Sequence, residues 1–377
     1  LSRLDARARG GSSGRPRLDL ALLRAPGSIL FVNAGSTSLK LDVVAGDETA
    51  VRLDSLDAVQ GPSLAAVAHR VVHGGPRLVA PVVIDADVEA EIRALEPLAP
   101  LHNAPALAGI ELAQRAFPDL PHVAVFDTAF HATMPAAAST YAVPREWRED
   151  WAVRRYGFHG SSVQWSAERA PQLLGRSPEG LRLVVCHLGG GSSVTAVRDG
   201  RSVDTTMGFS PLEGIPMTTR SGSVDPGALL YLQRERGFGV DELDRALNSE
   251  SGVKALAGGG PGMREIEAAA ELGDADAHLA VDVFLHRLAG AVAAMAAAAG
   301  GLDALVFTAG IGENSAPIRA GACERLAFLG VQLDAELNAA SAPDCDIAPR
   351  SSAVRVLVIR AREEIVAARA ARSLLDG

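Results

Sequence analysis

Two stretches of the sequence share one design: an apolar strand, a turn of glycine and hydroxyl residues, and a second apolar strand. The first runs from Ile29–Val32 through Asn33-Ala34-Gly35-Ser36-Thr37-Ser38 into Leu39–Val44. The second, roughly 155 residues on, runs from Leu183–Cys186 through Gly189-Gly190-Gly191-Ser192-Ser193 into Val194–Val197, with Asp199-Gly200 as the next turn. One hairpin device used twice at that separation predicts a duplicated α/β domain. Further strands are expected at Ala68–Val72, Val123–Asp127, Ala304–Thr308 and Val354–Ile359. Helices are expected over Ala104–Ala116, Gly227–Arg236, Asp276–Ala299 and Glu363–Leu375. Strands interleaved with helices indicate the α/β class. A chain of 377 residues, 48 % of them hydrophobic, is long enough for two domains.

Several function classes are excluded early. Lys and Arg number 36 against 45 Asp and Glu, a formal charge of −9, which argues against a nucleic-acid surface because phosphate affinity scales with clustered cations. Cys186, Cys323 and Cys345 lie too far apart in sequence for a zinc knuckle or a redox pair. The Ala- and Gly-rich stretch from Leu288 to Leu302 is shorter and less apolar than the roughly 20 residues a bilayer span takes, so it reads as a close-packed internal helix. Residues 1–27 carry six Arg against Asp5 and Asp19, with a Gly/Ser cluster. They read as a flexible basic tail, with an Arg-rich targeting peptide as the alternative.

The only lysines are Lys40 and Lys254, and neither follows a glycine, so a Walker A loop is absent. The nearest approach to a dinucleotide fingerprint, Gly310-Ile311-Gly312-Glu313-Asn314-Ser315, ends in serine. The two hairpin turns nevertheless expose backbone N–H groups and hydroxyls at one point, as a phosphate nest does, although either alone could be an ordinary hairpin. A third glycine turn, Thr308–Ser315, follows a strand and leads into a helix near Ala316, which suits an anionic or nucleotide ligand or a plain capped turn. His69 and His73 stand four apart, but the valines between them indicate a strand, which puts them roughly 13 Å apart and excludes a metal pair. Arg70, flanked by apolar residues, is either paired with an interior carboxylate or aimed into a cleft. Asp127 ends a strand, His159 lies between glycines, and Arg220 sits in Thr218-Thr219-Arg220-Ser221-Gly222. Two arginines, an acid and a histidine beside two phosphate nests are the parts for phosphoryl transfer to a small anion.

Asn33–Lys40, His69–Gly75, Leu98–Asn103, Phe126–His131, Tyr156–Gly160, Asp204–Gly222 and Phe307–Ser315 resemble, in order, the signatures of the acetate kinases, within the larger group of sugar kinases, Hsp70 and actin. The resemblance implies duplicated ribonuclease-H-like (actin-like ATPase) domains with a cleft between them. It divides the chain into 28–128 with a returning 360–377, and a nucleotide-binding 129–359. It also implies a cytoplasmic homodimer that uses acetate, ATP and Mg²⁺, with no nucleic-acid or membrane partner. Propionate or butyrate kinase, a pyrophosphate-using enzyme, and a non-catalytic nucleotide switch are the alternatives.

Carried over by position, Asn33, Ser36, Ser38 and Lys40 match the first phosphate motif, with Asn33 also on the metal side. Arg70 and Arg220 match the arginines for carboxylate and phosphoryl group, Asp127 the essential acid near Mg²⁺, and His159 the histidine at the transferring phosphoryl. Val72, Leu101 and Pro211 match the pocket for the acyl methyl. His187, Gly189, Gly190, Gly191, Gly262, Met263, Arg264, Gly310, Ile311, Gly312 and Asn314 match phosphate and nucleoside contacts, and Glu363 the magnesium-associated glutamate. The sequence departs from the family pattern at Gly190 (Asn), Gly262 (Asp), Val163 (His) and Arg362 (Asn). The first two departures loosen the expected donor contacts.

Overall fold

The computed structural model describes residues 27–35, 39–46, 49–56, 59, 64–260 and 262–376. The expected basic tail, apart from Gly27, and the turn residues Ser36 and Ser38 lie outside them. Two six-stranded sheets organise the described chain. In the first, β1 (Ser28–Ala34), β2 (Leu39–Ala45), β3 (Thr49–Leu53), β4 (Leu64–Val71), β5 (Val82–Val83) and β6 (His122–Phe126) take the order β3-β2-β1-β4-β6-β5. In the second, β7 (Arg182–Leu188), β8 (Ser192–Arg198), β9 (Arg201–Thr205), β10 (Ala304–Thr308), β11 (Cys345–Asp346) and β12 (Arg355–Val358) take the order β11-β12-β10-β7-β8-β9.

The two sheets are the same drawing twice. Each has an antiparallel β-meander, β1-β2-β3 or β7-β8-β9, whose first strand continues in parallel to β4 and β6, or to β10 and β12. Each closes on a two-residue antiparallel edge strand, β5 or β11. The duplication expected from the hairpins is therefore present in strand order and direction.

Helices cover both faces of each sheet, which is why β6 and β10 are unbroken buried runs without polar alternation. The helices Gly160–Leu174 and Glu363–Leu375 fill the layer between the sheets. Their Val163, Trp165, Ala170, Ile365 and Ala368 share one core with Ile29, Ala68 and Val123 of the first sheet and Val185, Val306 and Leu357 of the second. The helix Pro100–Ala116 backs the first sheet. The helices Met263–Glu271, Ala275–Ala299 and Ala316–Arg325 pack on the outer face of the second.

Two expectations need correcting, and a third is met. The helix expected from Ala104 starts four residues earlier, at Pro100, where a proline N-terminal residue loses no hydrogen bond. The segment around Gly310 is a short helix, Ala309–Asn314, rather than an open turn, and Ser315 then caps the helix Ala316–Arg325 by accepting from the Ile318 N–H. The Ala-rich stretch belongs to a 25-residue helix, Ala275–Ala299, long and apolar enough to cross a membrane by length and composition alone. Here Phe284, Leu288, Val292 and Met295 are buried in the core against the second sheet.

Candidate active site

Parallel strands end where ligands gather, because the loops after them diverge and leave a crevice. The carboxyl ends of β1, β4, β7, β10 and β12 deliver Asn33, Arg70, His187, Ala309 and Ala361 to one cleft of about 450 Å³. Lys40, His159, Gly191, Arg220, Gly310 and Glu363 line the same cleft. Two larger hollows, of about 640 and 710 Å³, are lined by none of the expected site residues.

Asp127 lies just behind the wall, 1 % exposed, at the end of β6. Arg70 grips it with both prongs: Nε donates to Oδ1 and Oδ2 at 3.0 and 3.1 Å, and Nη2 to Oδ2 at 2.5 Å. Nη1 donates to Asn33 Oδ1 at 3.3 Å, and Glu363 Oε2 lies 3.9 Å from Arg70 Nε. Burial works to discharge both partners, and the pair resists it. Burial lowers the Arg70 pKa while Asp127 and Glu363 raise it, for a net rise that keeps the guanidinium charged. Burial pushes the Asp127 carboxyl up, with Arg70 pulling against it. Both readings of Arg70 hold at once: it is paired inside and lines the cleft.

Across from it, His159 heads the helix Gly160–Leu174 with a left-handed backbone, φ 60°. Strain of that kind in a non-glycine residue collects at functional sites. Its ring stacks on His187 with centroids 3.9 Å apart. His159 Nδ1 hydrogen-bonds Ser193 Oγ at 3.0 Å, and His187 Nδ1 bonds Ser162 Oγ at 2.8 Å. Burial, reinforced by His187, Arg70 and Arg220, holds the His159 pKa well below its usual value. Burial and Arg70 lower His187 to about 4. Both imidazoles are neutral at pH 7, so the fixed positive charge of the cleft is carried by arginine and lysine.

Arg220 donates from Nη1 to the Pro211 carbonyl at 3.4 Å, and its Nη2 lies 2.9 Å from His102 Nε2. Burial and then Arg70 lower its pKa, as expected for one buried cation near another. Gly191 lies against both groups: a Cβ there would lie 3.3 Å from His159 Nε2 and 3.5 Å from Arg220 Nη1. Gly190 and Gly262 meet no such crowding.

The cleft does not gather every expected residue. Val72 is buried with Phe158, Met207 and Met217 in a small apolar cluster. Leu101 belongs to the helix Pro100–Ala116, and its side chain lies outside those described. Met263 is part of the core, Arg264 is exposed, and neither lines the cleft. Ile311 packs on the core, Gly312 is buried, and the Asn314 side chain donates to the Gly310 carbonyl inside its own helix. Other lining residues went unassigned from sequence: His102, Glu313, Glu364, and the ion pair of Asp42 with Arg52 at 2.5 Å. Burial, with Asp42 and Glu363 nearby, raises Glu364 to about 7. Glu313 Oε1 accepts the N–H groups of Ala309 and Ala361, tying the ends of β10 and β12 together. A glutamate inside the Gly310–Ser315 run was the signal that could have found it.

Comparison with known proteins agrees with this geometry. The acetokinase family model matches residues 55–369. An acetate kinase of Synechococcus sp. is 52 % identical over 318 residues, 84 % of this chain and 78 % of that one. The crystal structure of Porphyromonas gingivalis acetate kinase superposes with a TM-score of 0.83 at 32 % identity, covering 93 % of this chain and 100 % of that one. A propionate kinase from Francisella tularensis gives 0.82 at 36 % identity, covering 91 % and 98 %. With a match over most of its length and two solved relatives built on the same frame, this chain belongs to the acetokinase family.

Proposed function

We propose that this protein is an acetate kinase, transferring the γ-phosphoryl group of ATP reversibly to acetate. In the forward direction a carboxylate oxygen attacks phosphorus in line, the new O–P bond forms as the bond to the ADP oxygen breaks, and acetyl phosphate leaves. The observation that carries this reading is the pair of arginines in one cleft, Arg70 and Arg220, each held by neighbours of this chain. A nucleotide switch of the same fold has no acceptor to hold and no need of such a pair.

The residues divide the work. Arg70 and Arg220 fix the acceptor carboxylate and draw charge off the moving phosphoryl oxygens. His159, neutral before reaction, offers a hydrogen bond at the phosphoryl without adding repulsion to the two guanidiniums. Lys40 and the N–H groups of Gly190 and Gly191 address the donor phosphates, the Gly189 N–H being taken by the Gly191 carbonyl. The apolar cluster of Val72 with Phe158, Met207 and Met217 supports a short acyl chain, and Pro211 stands beside it in the chain, its carbonyl accepting from Arg220. Among the described residues no cluster of three or more Asp, Glu, His or Cys forms a metal cage. Asn33 and Glu363 bring an amide oxygen and a carboxylate to the cleft, a donor set that fits Mg²⁺, which takes one or two protein oxygens and completes its shell with water and phosphate. Glu363 and Asn33 would hold the ion, which when bound neutralises phosphate charge.

The two sheets support one domain over 28–128 with 360–377 and another over 129–359. The helix Pro226–Arg236 buries none of its residues and leaves Leu230 and Tyr231 about half exposed, which supports a homodimer. A cytoplasmic location follows from the need for ATP. The primary test is a hydroxamate assay for acyl phosphate with acetate, propionate and butyrate. Acetate is expected to lead and butyrate to trail, since each methylene that cannot be housed forgoes about 0.8 kcal/mol of burial and adds clash. Propionate in the lead would turn the assignment toward the Francisella relative. Arg220→Lys is expected to lose nearly as much kcat/KM for acetate as Arg220→Ala, because a point charge cannot reproduce a planar fork. Wild-type kinetics in the lysine variant would reduce Arg220 to a structural residue.

A further inference from the structure

One polar contact in the cleft has no task in the reaction as described. His102 stands in the first turns of the helix Pro100–Ala116, which packs on the first sheet. Arg220 lies 118 residues further on, in a loop that follows β9 of the second sheet. The 2.9 Å contact between His102 Nε2 and Arg220 Nη2 therefore crosses from one half of the molecule to the other. Its polarity is fixed by chemistry: a guanidinium only donates, so Nε2 accepts and the ring is neutral with its proton on Nδ1. The Nη1 nitrogen donates to the Pro211 carbonyl at 3.4 Å. Two acceptors on different nitrogens define the plane of the guanidinium, whereas the long contact to Pro211 alone leaves it free to swing.

Arg220 needs such a guide. It is half-buried and close enough to Arg70 for the two cations to disfavour each other. Arg70 has a buried carboxylate to fix it, and no ion pair to an acid is found for Arg220 among the described residues. We propose that His102 is a positioning residue for Arg220, holding its guanidinium plane across the cleft so that the acceptor carboxylate meets a preformed fork. Leu101, its neighbour on the helix, and Pro211, the other acceptor's residue, are both expected acyl-pocket positions. The same contact thus sets Arg220 between the two sides of the acceptor site.

The inference rests on acetate being the acceptor, so wild-type acyl phosphate formation is measured in the same series. In His102→Ala, the acetate KM is expected to rise about tenfold while the ATP KM stays within about twofold, the loss of one hydrogen bond to a charged group acting on one substrate only. His102→Gln, whose amide oxygen can accept at similar reach, is expected to recover most of the affinity. An acetate KM in His102→Ala within about twofold of wild type would overturn the assignment. So would a glutamine variant as impaired as the alanine one, or an ATP KM that rises in parallel, the mark of a merely structural role. No acyl phosphate from the wild type would overturn both the acceptor reading and this role. Normal wild-type turnover with an indifferent His102 would overturn this role alone.

Discussion

Asp127→Asn is expected to lower kcat/KM for acetate by about a thousandfold, roughly 4 kcal/mol of transition-state stabilisation. The carboxylate is buried and both its oxygens accept from Arg70. An asparagine keeps the shape but removes the charge and turns an NH2 group toward a guanidinium that has only donors. Arg70 then sits partly buried with its nearest remaining acid, Glu363, 3.9 Å away. Breaking one side of a buried ion pair costs about 3–5 kcal/mol, because the partner's charge is left without compensation. Part of that cost appears as lost stability and part as a displaced Arg70. Steady-state kinetics with a parallel thermal melt separate the two. Activity within about threefold of wild type would show that Arg70 does not depend on its carboxylate.

Gly160→Ala is the second large effect, and it acts through the backbone. The Gly160 N–H donates to the Asp127 carbonyl at 2.9 Å, and a Cβ on Gly160 would lie 2.1 Å from that same oxygen and 3.1 Å from Phe130 Cβ. Nothing flexible stands in the way to yield. The main chain must part, carrying His159 on one side and Asp127 on the other out of place. Overpacking of this kind costs about 1–3 kcal/mol or more, and misplacement by an ångström costs about a hundredfold in rate. The expected outcome is a lower melting temperature together with at least that loss of kcat. Gly290→Ala, in the helix Ala275–Ala299 with open space around it, serves as the control and is expected to stabilise by up to about 1 kcal/mol.

The parts of the site that were legible in the sequence are those whose chemistry contradicts their surroundings. Arg70 among valines and Asp127 at the end of an apolar run have no local partner to explain them, and each finds the other across neighbouring parallel strands. The doubled hairpin was legible because a Gly/Ser turn between apolar runs has few other uses. His102 was missed for a local reason: the helix was expected only from Ala104, whereas it begins at Pro100, tolerates Pro105 inside and already carries His102. Asp42 was hidden in an apolar strand, and its partner Arg52 lies opposite in β3, a strand too short and mixed to register by pattern. The apolar cluster around Val72 unites residues from three distant segments, and no periodicity announces a contact of that range. The Gly310 segment misled because glycines suggest an open turn, yet Gly312 is needed for close approach: a Cβ there would stand 3.3 Å from the Phe307 carbonyl carbon.

The helix Glu363–Leu375 has a consequence for how the protein is made. Its Ile365, Val366, Ala367, Ala368 and Ala371 fill the layer between the sheets, against strands laid down from Ile29 onward. A ribosome adds about 5–20 residues each second, so the first sheet waits tens of seconds with one apolar face lacking this cover. Glu363, which faces Arg70, arrives with the same late segment. The cleft therefore cannot be assembled on a nascent chain that stops short of it, and a fragment released early would expose an uncovered sheet to chaperones and proteases while having no competent site to misuse ATP.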